Sequence, residues 1–447
     1  MRSLENIITK KFLKRYFVLC SITLFIISYI ISILSNLINY DPLVLTTFFI
    51  IGVLSIFNSI TSLKYEYSLY KIHGYFVLIF LFFAPLHQYV TRSFPWRWNL
   101  NENVIIIGNI LIIVWLLIYL ITYSMVPSAK RAGDLLPQGK KLITIGFFLT
   151  IISLLITVYS VGGISNLFSR TGADIPTLQS ISLILSTSVR PFPVLFFSYL
   201  YIISREKKVA KGLKALLIIV FIIVLITNFP TAVSRYHAAA VYIGLILLFY
   251  KEKISFDILF LIGIVIIFPT LDLFRRTAFG EVFTNLEFQI IELSSGHFDA
   301  YSMLMRTIEV VIINGPTYGY QLLGALLFFI PRSIWTTKPV GSGAYVGEAL
   351  GLEFLNISSP LIAEVLINFG FVFFIIGPFL LAILNKKVDT RYWNFSEPQR
   401  YISIYFIFII GFFFFILRGD LLSSFAYTLG FYIPLILFNL IYKINMK

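Results

Sequence analysis

The chain has 447 residues, of which 58% are hydrophobic, 17% are aromatic and only 13% are charged. Soluble proteins carry about 25% charged residues, so the composition excludes an ordinary soluble protein. The formal net charge is +14, which we assign to membrane topology and contact with anionic lipid, and we expect no nucleic-acid partner.

Apolar runs of about 20 residues recur along the chain, and each is long enough to cross a membrane as a helix. The sequence predicts twelve spans, at about 16–35, 43–63, 72–91, 103–125, 142–162, 179–203, 215–229, 231–250, 254–271, 361–385, 401–417 and 421–441. The first run is too long for a signal peptide and no small-residue cleavage site follows it, so we expect it to remain as a helix.

The predicted fold is an all-α polytopic membrane protein that forms one integral membrane domain. Residues 1–271 hold nine spans, 272–360 form the single long loop, and 361–447 hold three more spans. The mixed polar and apolar content of the loop predicts short helices packed on the membrane surface. Its apolar run 320–330 predicts a surface or re-entrant helix that ends at Pro331, and the glycine-rich run 341–351 predicts a flexible cover over a groove.

Basic residues mark cytoplasmic loops, and placing both termini inside separates the alternate loops cleanly. In that orientation 24 of the 35 basic residues face the cytoplasm, and the long loop lies outside it. We expect a multi-pass protein of the bacterial cytoplasmic (inner) membrane.

The two sides also differ in the kind of cation they carry. Of the 11 basic residues on the outer side, 10 are arginine, whereas lysine dominates inside. A guanidinium group matches phosphate through two hydrogen bonds, so we expect an outward-facing phosphate or pyrophosphate site. The candidate ligands of this site are Arg190, Arg235, Arg275, Arg276, Arg332, Lys338 and Arg418. Single arginines could instead snorkel to lipid headgroups, and Arg190 or Arg235 could pair internally with Asp420 or Glu364.

Three of these arginines are predicted at the outer ends of spans. Arg235 falls in the first turns of the eighth span, Arg418 precedes the twelfth, and Arg190 precedes Pro191 and Pro193, which we expect to break the sixth span. Helix N-termini and guanidinium groups both favour phosphate oxygens, which predicts one anionic pocket between these spans. The run Arg418-Gly419-Asp420 predicts only a short hairpin, and chance explains its likeness to an adhesion tripeptide.

Residues 330–339, IPRSIWTTKP, hold Arg332, Trp335 and Lys338 between two prolines, and we call this segment the strap. Trp335 could anchor at the lipid interface or stack on a sugar ring. The four histidines and the single cysteine show no metal-ligand spacing, so we expect no metal and no cofactor.

Outside the cytoplasmic membrane, glycosyl transfer must use a donor that is already activated on a lipid, such as a polyprenyl pyrophosphate sugar. Clustered arginines could stabilise the departing pyrophosphate without a metal. The acceptor hydroxyl would lose its proton to a carboxylate or an imidazole, and the candidates are Asp299, His297, Glu348 and Glu364.

Four segments carry a resemblance to a known family: AVSRYHAAAVYIGLILL, SSGHFDAYSMLMRTIE, IPRSIWTTKP and SSPLIAEVLINFGFVFFIIG. In order they resemble landmarks of the bacterial O-antigen or capsular polysaccharide polymerases, the Wzy family, over about residues 230–385. The most specific feature is Pro-Arg followed by Trp and Lys-Pro. The sequence departs from many members at Val233, where they carry glycine, and at Thr336, where they carry proline.

The resemblance implies a metal-independent polymerase that transfers the growing glycan from undecaprenyl pyrophosphate to the next lipid-linked repeat unit, with a GT-C-like glycosyltransferase architecture. Donor and acceptor would both be undecaprenyl-pyrophosphate-linked oligosaccharides, and membrane lipid, chain-length regulators and flippases would be partners. Arg235, Arg332 and Lys338 would match the family's cations and Glu364 its helix-borne acid, followed by the turn-like Asn368-Phe369-Gly370.

Two other functions stay open. One is an O-antigen ligase type transferase, which hands a finished glycan to another acceptor. The other is a transporter or flippase for a lipid-linked or anionic substrate, which should carry polar residues near the middle of several spans. The sequence concentrates its polar residues at the outer ends and in one loop, which favours catalysis at the outer face.

Overall fold

The structure, a computed structural model, describes residues 40–129, 139–168, 187–205, 211–230, 232–250, 255–264, 292–394 and 401–445, with scattered positions between 19 and 31 and position 136. Every regular element in these residues is helical. The first eight helices are α1 (Pro42–Thr61), α2 (Leu69–Thr91, with a π-helical segment Val77–Phe83), α3 (Glu102–Met125), α4 (Lys140–Ser160), α5 (Phe192–Ser204), α6 (Lys211–Thr227), α7 (Arg235–Phe249) and α8 (Phe256–Ile262). The others are α9 (Ala300–Asn314), α10 (Tyr320–Leu326), α11 (Ser342–Ala349), α12 (Leu361–Phe373), α13 (Ile376–Trp393), α14 (Tyr401–Arg418) and α15 (Leu421–Asn445).

The predicted all-helical fold is confirmed for the described residues, and it is that of a helical membrane protein. Helices α1, α2, α3 and α4 are each long and apolar enough to cross a membrane, and they coincide with the second to fifth predicted spans. Their ends follow from local capping: Asp41 precedes Pro42 and accepts a hydrogen bond from Leu43 N, and Asn101 accepts one from Asn103 N. Most of the first predicted span, residues 265–291 with Arg275 and Arg276, and the side chain of Arg235 lie outside the described part of the chain.

Helix α2 is the centre of the bundle. Of the 18 most apolar consecutive residues in α2, 89% are buried, against 44% for α1 and α3 and 28% for α4. It packs against α1, α9, α13 and α14. A helix that is apolar on all sides is stable only when other helices or lipid surround it, which explains its place in the core.

The two ends of the bundle are defined by the loops that meet there. Tyr40, Val90 and Glu102 come together at one end, where Tyr40 Oη donates to Val90 O at 2.6 Å and Arg92 bonds Glu102. We call this the strap end, because Gly341, two residues after the strap, lies against Asp420 at the start of α15. The opposite end holds residues 62–68, the end of α3 and the end of α13.

Helix α9 corrects the prediction of surface helices in the long loop. Its first six residues, 300–305, are each fully buried. Tyr301 Oη donates to Asn109 of α3 at 2.8 Å, and Met305 lies against Gly108, where any larger residue would collide with it. The helix is therefore inserted into the bundle, because its aromatic and aliphatic face fits a groove that a glycine opens in α3.

The predicted span 361–385 is interrupted by a break in the helix within α12, before α13 begins. Gly370 has φ 66° and ψ −174°, a conformation that favours glycine. Asn368 prepares this break, since its Nδ2 donates to Glu364 O and its Oδ1 accepts from Leu322 N at 2.8 Å. The turn-like pattern at 368–370 is thus a real interruption of the helix.

The glycine-rich run 341–351 forms helix α11 where the sequence predicted a flexible cover. Gly343 allows α11 to approach the backbone carbonyl of Ile357, and a Cβ there would overlap that oxygen. Close backbone approach, rather than flexibility, explains this glycine.

A candidate anion and proton-transfer site

A buried ion pair lies where α14 ends and α9 begins. Arg418 Nη2 donates to Asp299 Oδ1 at 2.9 Å, and the two side chains are only 7% and 2% exposed. The same guanidinium donates to the carbonyls of Gly296 (2.9 Å) and His297 (3.1 Å), and Ser358 Oγ donates to Asp299 at 2.7 Å. Asp299 therefore neutralises Arg418, which makes this arginine a weak candidate for holding a ligand phosphate.

Two of the predicted arginines converge on the start of α7. Arg418 lies over the ring of Tyr236 at 5.4 Å. Arg190 is buried immediately before α5, in the break predicted at Pro191, and its carbonyl accepts from Asn228 Nδ2 at 3.5 Å. Asn228 Oδ1 in turn accepts from His237 Nε2 at 3.1 Å. The described residues thus bring two of the three predicted helix ends together, and Arg418 forms its internal ion pair with Asp299.

A pair of carboxyl groups lies beside this hairpin. Glu364 Oε2 accepts from Ser342 Oγ at 2.7 Å and its Oε1 accepts from Leu421 N at 2.9 Å. Asp420 Oδ2 accepts from Gly343 N at 3.1 Å and its Oδ1 accepts from Leu422 N at 3.0 Å. Both acids thus sit at the N-termini of α11 and α15, where backbone N–H groups favour negative charge.

The two carboxyl groups also interact with each other electrostatically. Glu364 is 2% exposed, whereas Asp420 is only partly covered, and burial raises the pKa of Asp420 above its ordinary value. Within the described residues, neither acid has an ion-pair partner. Two neighbouring acids disfavour each other's ionisation, so this acid pair can accept and release a proton.

The two cations of the strap fold back on the strap itself. Arg332 donates from Nη1 to Lys338 O at 2.6 Å and from Nη2 to Pro339 O at 3.1 Å. Lys338 Nζ donates to Phe328 O at 2.7 Å and to Ile330 O at 2.9 Å, which are partly buried carbonyls just after α10. These bonds turn the strap into a compact loop of fixed shape.

Within the part of the chain that the structure describes, no carboxylate pairs with either cation of the strap. Burial and the nearby charge of Arg332 lower the pKa of Lys338. Among the described residues no acid lies within ion-pair distance of either group. Arg332 is exposed and retains N–H donors that the loop does not use. Two adjacent cations whose only partners are carbonyls form a favourable place for an anion.

The strap leads directly to the acid pair. Pro339 packs against Gly324 of α10, where a Cβ would collide with the proline ring. Gly341, three residues after Lys338, lies so close to Asp420 that a Cβ would sit 2.6 Å from its Oδ2. The cations and the acids therefore occupy one continuous region at the strap end.

The remaining candidates have other surroundings. Trp335 is half-buried, donates from Nε1 to Thr337 Oγ1 at 3.1 Å and meets Tyr320 edge to face. The carbonyl of His297 accepts a hydrogen bond from Arg418, and Glu348 is exposed on α11.

Sequence reasoning overlooked Asp420 as a proton-transfer candidate. The available signal was the hairpin Arg418-Gly419-Asp420, whose two charged residues each bind a different long-loop segment.

A second polar cluster lies at the opposite end of the bundle, where sequence reasoning expected little. Lys71 Nζ bonds Asp257 Oδ1 at 2.8 Å, with exposures of 0% and 2%, and Tyr75 Oη also donates to this carboxylate. Asp389 accepts from Leu69 N (2.8 Å) and Tyr123 Oη (2.8 Å). These groups join α2, α3, α8 and α13 in one hydrogen-bonded network.

Comparison of the chain with models of protein families, with curated proteins and with solved structures finds no match in any of the three.

Proposed function

We propose that this protein polymerises undecaprenyl-pyrophosphate-linked oligosaccharide repeat units at the outer face of the bacterial cytoplasmic membrane. In this proposal the chain crosses the membrane twelve times with both termini in the cytoplasm, and its strap end faces outward as the active end of a GT-C-like glycosyltransferase. The observation that supports it most strongly is the cation pair of the strap, which has no carboxylate partner among the described residues and adjoins the acid pair. The resemblance to the Wzy family points to the same chemistry.

The cations would act on the leaving group. Transfer forms a bond between an acceptor hydroxyl oxygen and the anomeric carbon of the donor glycan, and it breaks the bond from that carbon to the diphosphate oxygen. The electron pair of the broken bond leaves with the diphosphate, whose added negative charge Arg332 and Lys338 stabilise through fixed N–H donors. Preorganisation by the strap's internal hydrogen bonds makes this stabilisation effective, because the donors need no rearrangement during the reaction.

The acid pair would act on the nucleophile. The acceptor hydroxyl must lose its proton as it attacks, and the partly covered Asp420, backed by Glu364, is placed to receive it. Ser342 holds Glu364 through its hydroxyl, so it serves as a positioning residue. Asp299 accepts hydrogen bonds from Arg418 and Ser358, so its role in this scheme is structural.

The direct test uses purified protein in nanodiscs with one defined lipid-linked repeat unit, and the product is a lipid-linked dimer. Arg332→Ala and Lys338→Ala should each reduce dimer formation by about 100-fold, the typical effect of removing one transition-state donor. The matched control is Arg92→Ala, which removes an exposed arginine of the same end that already pairs with Glu102. Full activity of both strap variants would remove the site assignment.

A test in the host separates the polymerase from related transferases. Deleting the gene should leave single repeat units at the cell surface in place of a long ladder of polymer. Loss of all surface glycan would instead indicate a ligase-type transferase or a flippase, and an unchanged ladder would remove the polymerase proposal.

One observation favours a transporter as the second candidate. The buried network around Lys71, Asp257 and Asp389 places charged groups inside the helical bundle, as transporters do. A transporter would move a lipid-linked repeat unit across proteoliposomes without lengthening it. Measuring translocation and dimer formation in the same vesicles therefore distinguishes the two functions.

A further inference from the structure

Two exposed aromatic rings meet beside the site and take no part in the proposed reaction. Trp96, from the connection between α2 and α3, is 42% exposed, and Phe354, from the connection between α11 and α12, is 48% exposed. Their ring centroids are 5.2 Å apart and their planes are inclined by 43°. Two different loops thus build one small aromatic surface, which we call the aromatic platform.

The platform lies directly over the buried ion pair. The ring of Trp96 rests on Gly296, where a Cβ would lie 2.5 Å from Trp96 Cζ2, and the carbonyl of Gly296 accepts a hydrogen bond from Arg418. Phe354 stands four residues before Ser358, which donates to Asp299. The polar core of the strap end and the platform are therefore continuous.

The backbone of Trp96 is unusual for a large side chain. Its φ of 61° and ψ of 15° lie in the left-handed region, which bulky residues rarely adopt. Burial of the ring alone does not explain why the chain holds this residue in that conformation, since 42% of Trp96 stays exposed. Conformations of this kind occur where the position of a side chain matters for binding.

We propose that the aromatic platform binds a pyranose ring of the glycan substrate, an inference that rests on the proposed function. The C–H groups on one face of a sugar pack against aromatic rings, and the sugar hydroxyls need hydrogen-bonding groups around the rim. The exposed side chains of Glu353 and Asn356 flank Phe354 and supply such groups. The size of two rings suits one or two sugar units.

The surroundings of the platform favour a sugar over a lipid chain. Trp96 lies in the connection 92–101, past the ends of the two spanning helices at Thr91 and Glu102. Its neighbour across the platform follows the acidic Glu353, which would be costly to bury among acyl chains. A polar, acidic rim around exposed rings suits a carbohydrate in water.

The test measures binding of a water-soluble glycan to the full-length protein in nanodiscs. The probe is the repeat-unit oligosaccharide that mild acid releases from the host's lipid carrier. Its binding is detected by saturation-transfer difference NMR, and titration gives its affinity. Trp96→Ala and Phe354→Ala should each weaken binding by about fivefold, which corresponds to about 1 kcal/mol. Trp96→Phe should retain most of the affinity, because it keeps an aromatic face.

The matched control is Tyr318→Ala, which removes an aromatic ring of the long loop that is 88% exposed and lies outside the platform. Thermal midpoints of all variants show that they are folded. Unchanged glycan affinity in folded Trp96→Ala and Phe354→Ala variants would overturn the platform. A second measurement tests whether Trp96 is a membrane anchor. The fluorescence of Trp96 is the difference between the wild type and Trp96→Phe, and quenching of that fluorescence by lipids brominated in their acyl chains would also overturn the platform.

Failure of the proposed function gives a different result. If the wild type binds the oligosaccharide through Trp96 but forms no dimer, the platform is supported and the polymerase proposal is contradicted. If the wild type and both platform variants form dimers at the same rate and the same KM, the polymerase proposal is supported and the platform is contradicted.

Discussion

The two polar clusters of this protein differ in how completely their charges are balanced. At the opposite end, Lys71 and Asp257 are almost inaccessible and pair with each other. At the strap end, Arg332 and Lys338 have only carbonyl partners among the described residues, and Asp420 is partly covered. A buried charge is tolerated only when it is paired and hydrogen-bonded, and the Lys71–Asp257 pair meets that condition without a ligand. The second cluster leaves charge unbalanced, which a ligand can use.

The Arg418–Asp299 pair lies between these extremes. It is at the strap end but as buried as the structural cluster, and it ties the start of α9 to the end of α14. Burial, rather than position along the membrane, therefore separates the structural ion pairs from the candidate ligand groups. The following predictions test that distinction.

The largest effect is expected at the opposite end. Lys71→Met should prevent recovery of folded protein, because it leaves Asp257 as a buried, unpaired charge at a cost of about 3–5 kcal/mol. The control is Glu102→Gln, which alters an ion pair that is 48% and 41% exposed and should change stability by about 1 kcal/mol or less. Monodisperse yield and thermal midpoint in detergent measure both. Equal stability of the two variants would contradict the distinction.

The next effect is expected at the buried pair of the strap end. Arg418→Gln should destabilise the protein by about 3 kcal/mol, since the buried Asp299 then loses its ion-pair partner. Adding Asp299→Asn to that variant should recover part of the loss, because the unpaired charge is gone. A double-mutant cycle on thermal unfolding measures this coupling, and a coupling near zero would show that the pair is not formed.

The third effect depends on pH. Burial raises the pKa of Asp389, which lies beyond the predicted span 361–385, from 3.8 to about 7. The folded protein thus binds this proton more tightly than the unfolded chain, so the stabilisation is complete below about pH 4 and is lost as pH rises through about 7. The thermal midpoint of the wild type should fall over this interval. Asp389→Asn should flatten the profile there, and an identical slope in both proteins would refute the assignment.

The smallest effect on stability, with a clear effect on activity, is expected at Gly324. A Cβ at this position would collide with Pro339 and shift the strap. Alanine also favours the helix by up to about 1 kcal/mol, which offsets part of the strain. Gly324→Ala should therefore fold normally and form less lipid-linked dimer. The control is Gly212→Ala, because a Cβ in that helix meets no atom within 4 Å.

Much of the helical framework could be predicted from hydropathy. The spans 43–63, 72–91, 103–125 and 142–162 agree with α1 to α4 within a few residues, since a long apolar run has few alternatives to a helix in a membrane. The break at Gly370 was indicated only by the turn-like run Asn368-Phe369-Gly370 that the family resemblance pointed to, because hydropathy gives a single span over 361–385. The insertion of α9 could not be predicted, because the fit of Met305 against Gly108 involves residues far apart in the chain.

The candidate site could likewise be predicted only in part from the sequence. The strap cations Arg332 and Lys338 and the acid Glu364 were visible as residues, because charged groups are rare in this composition. Their neighbours were not visible. Asp420 joins Glu364 only because α11 and α15 begin side by side, and Asp299 faces Arg418 only because α9 enters the bundle.

The amino-acid sequence by itself determined that the chain is a bundle of apolar helices and which few residues carry charge, because hydrophobicity and charge are properties of the residues themselves. The tertiary structure alone decided which charges neutralise one another and which remain open to a ligand. That outcome depends on distances and burial between residues far apart in the chain, and the packing of α9, α11 and α14 sets these distances.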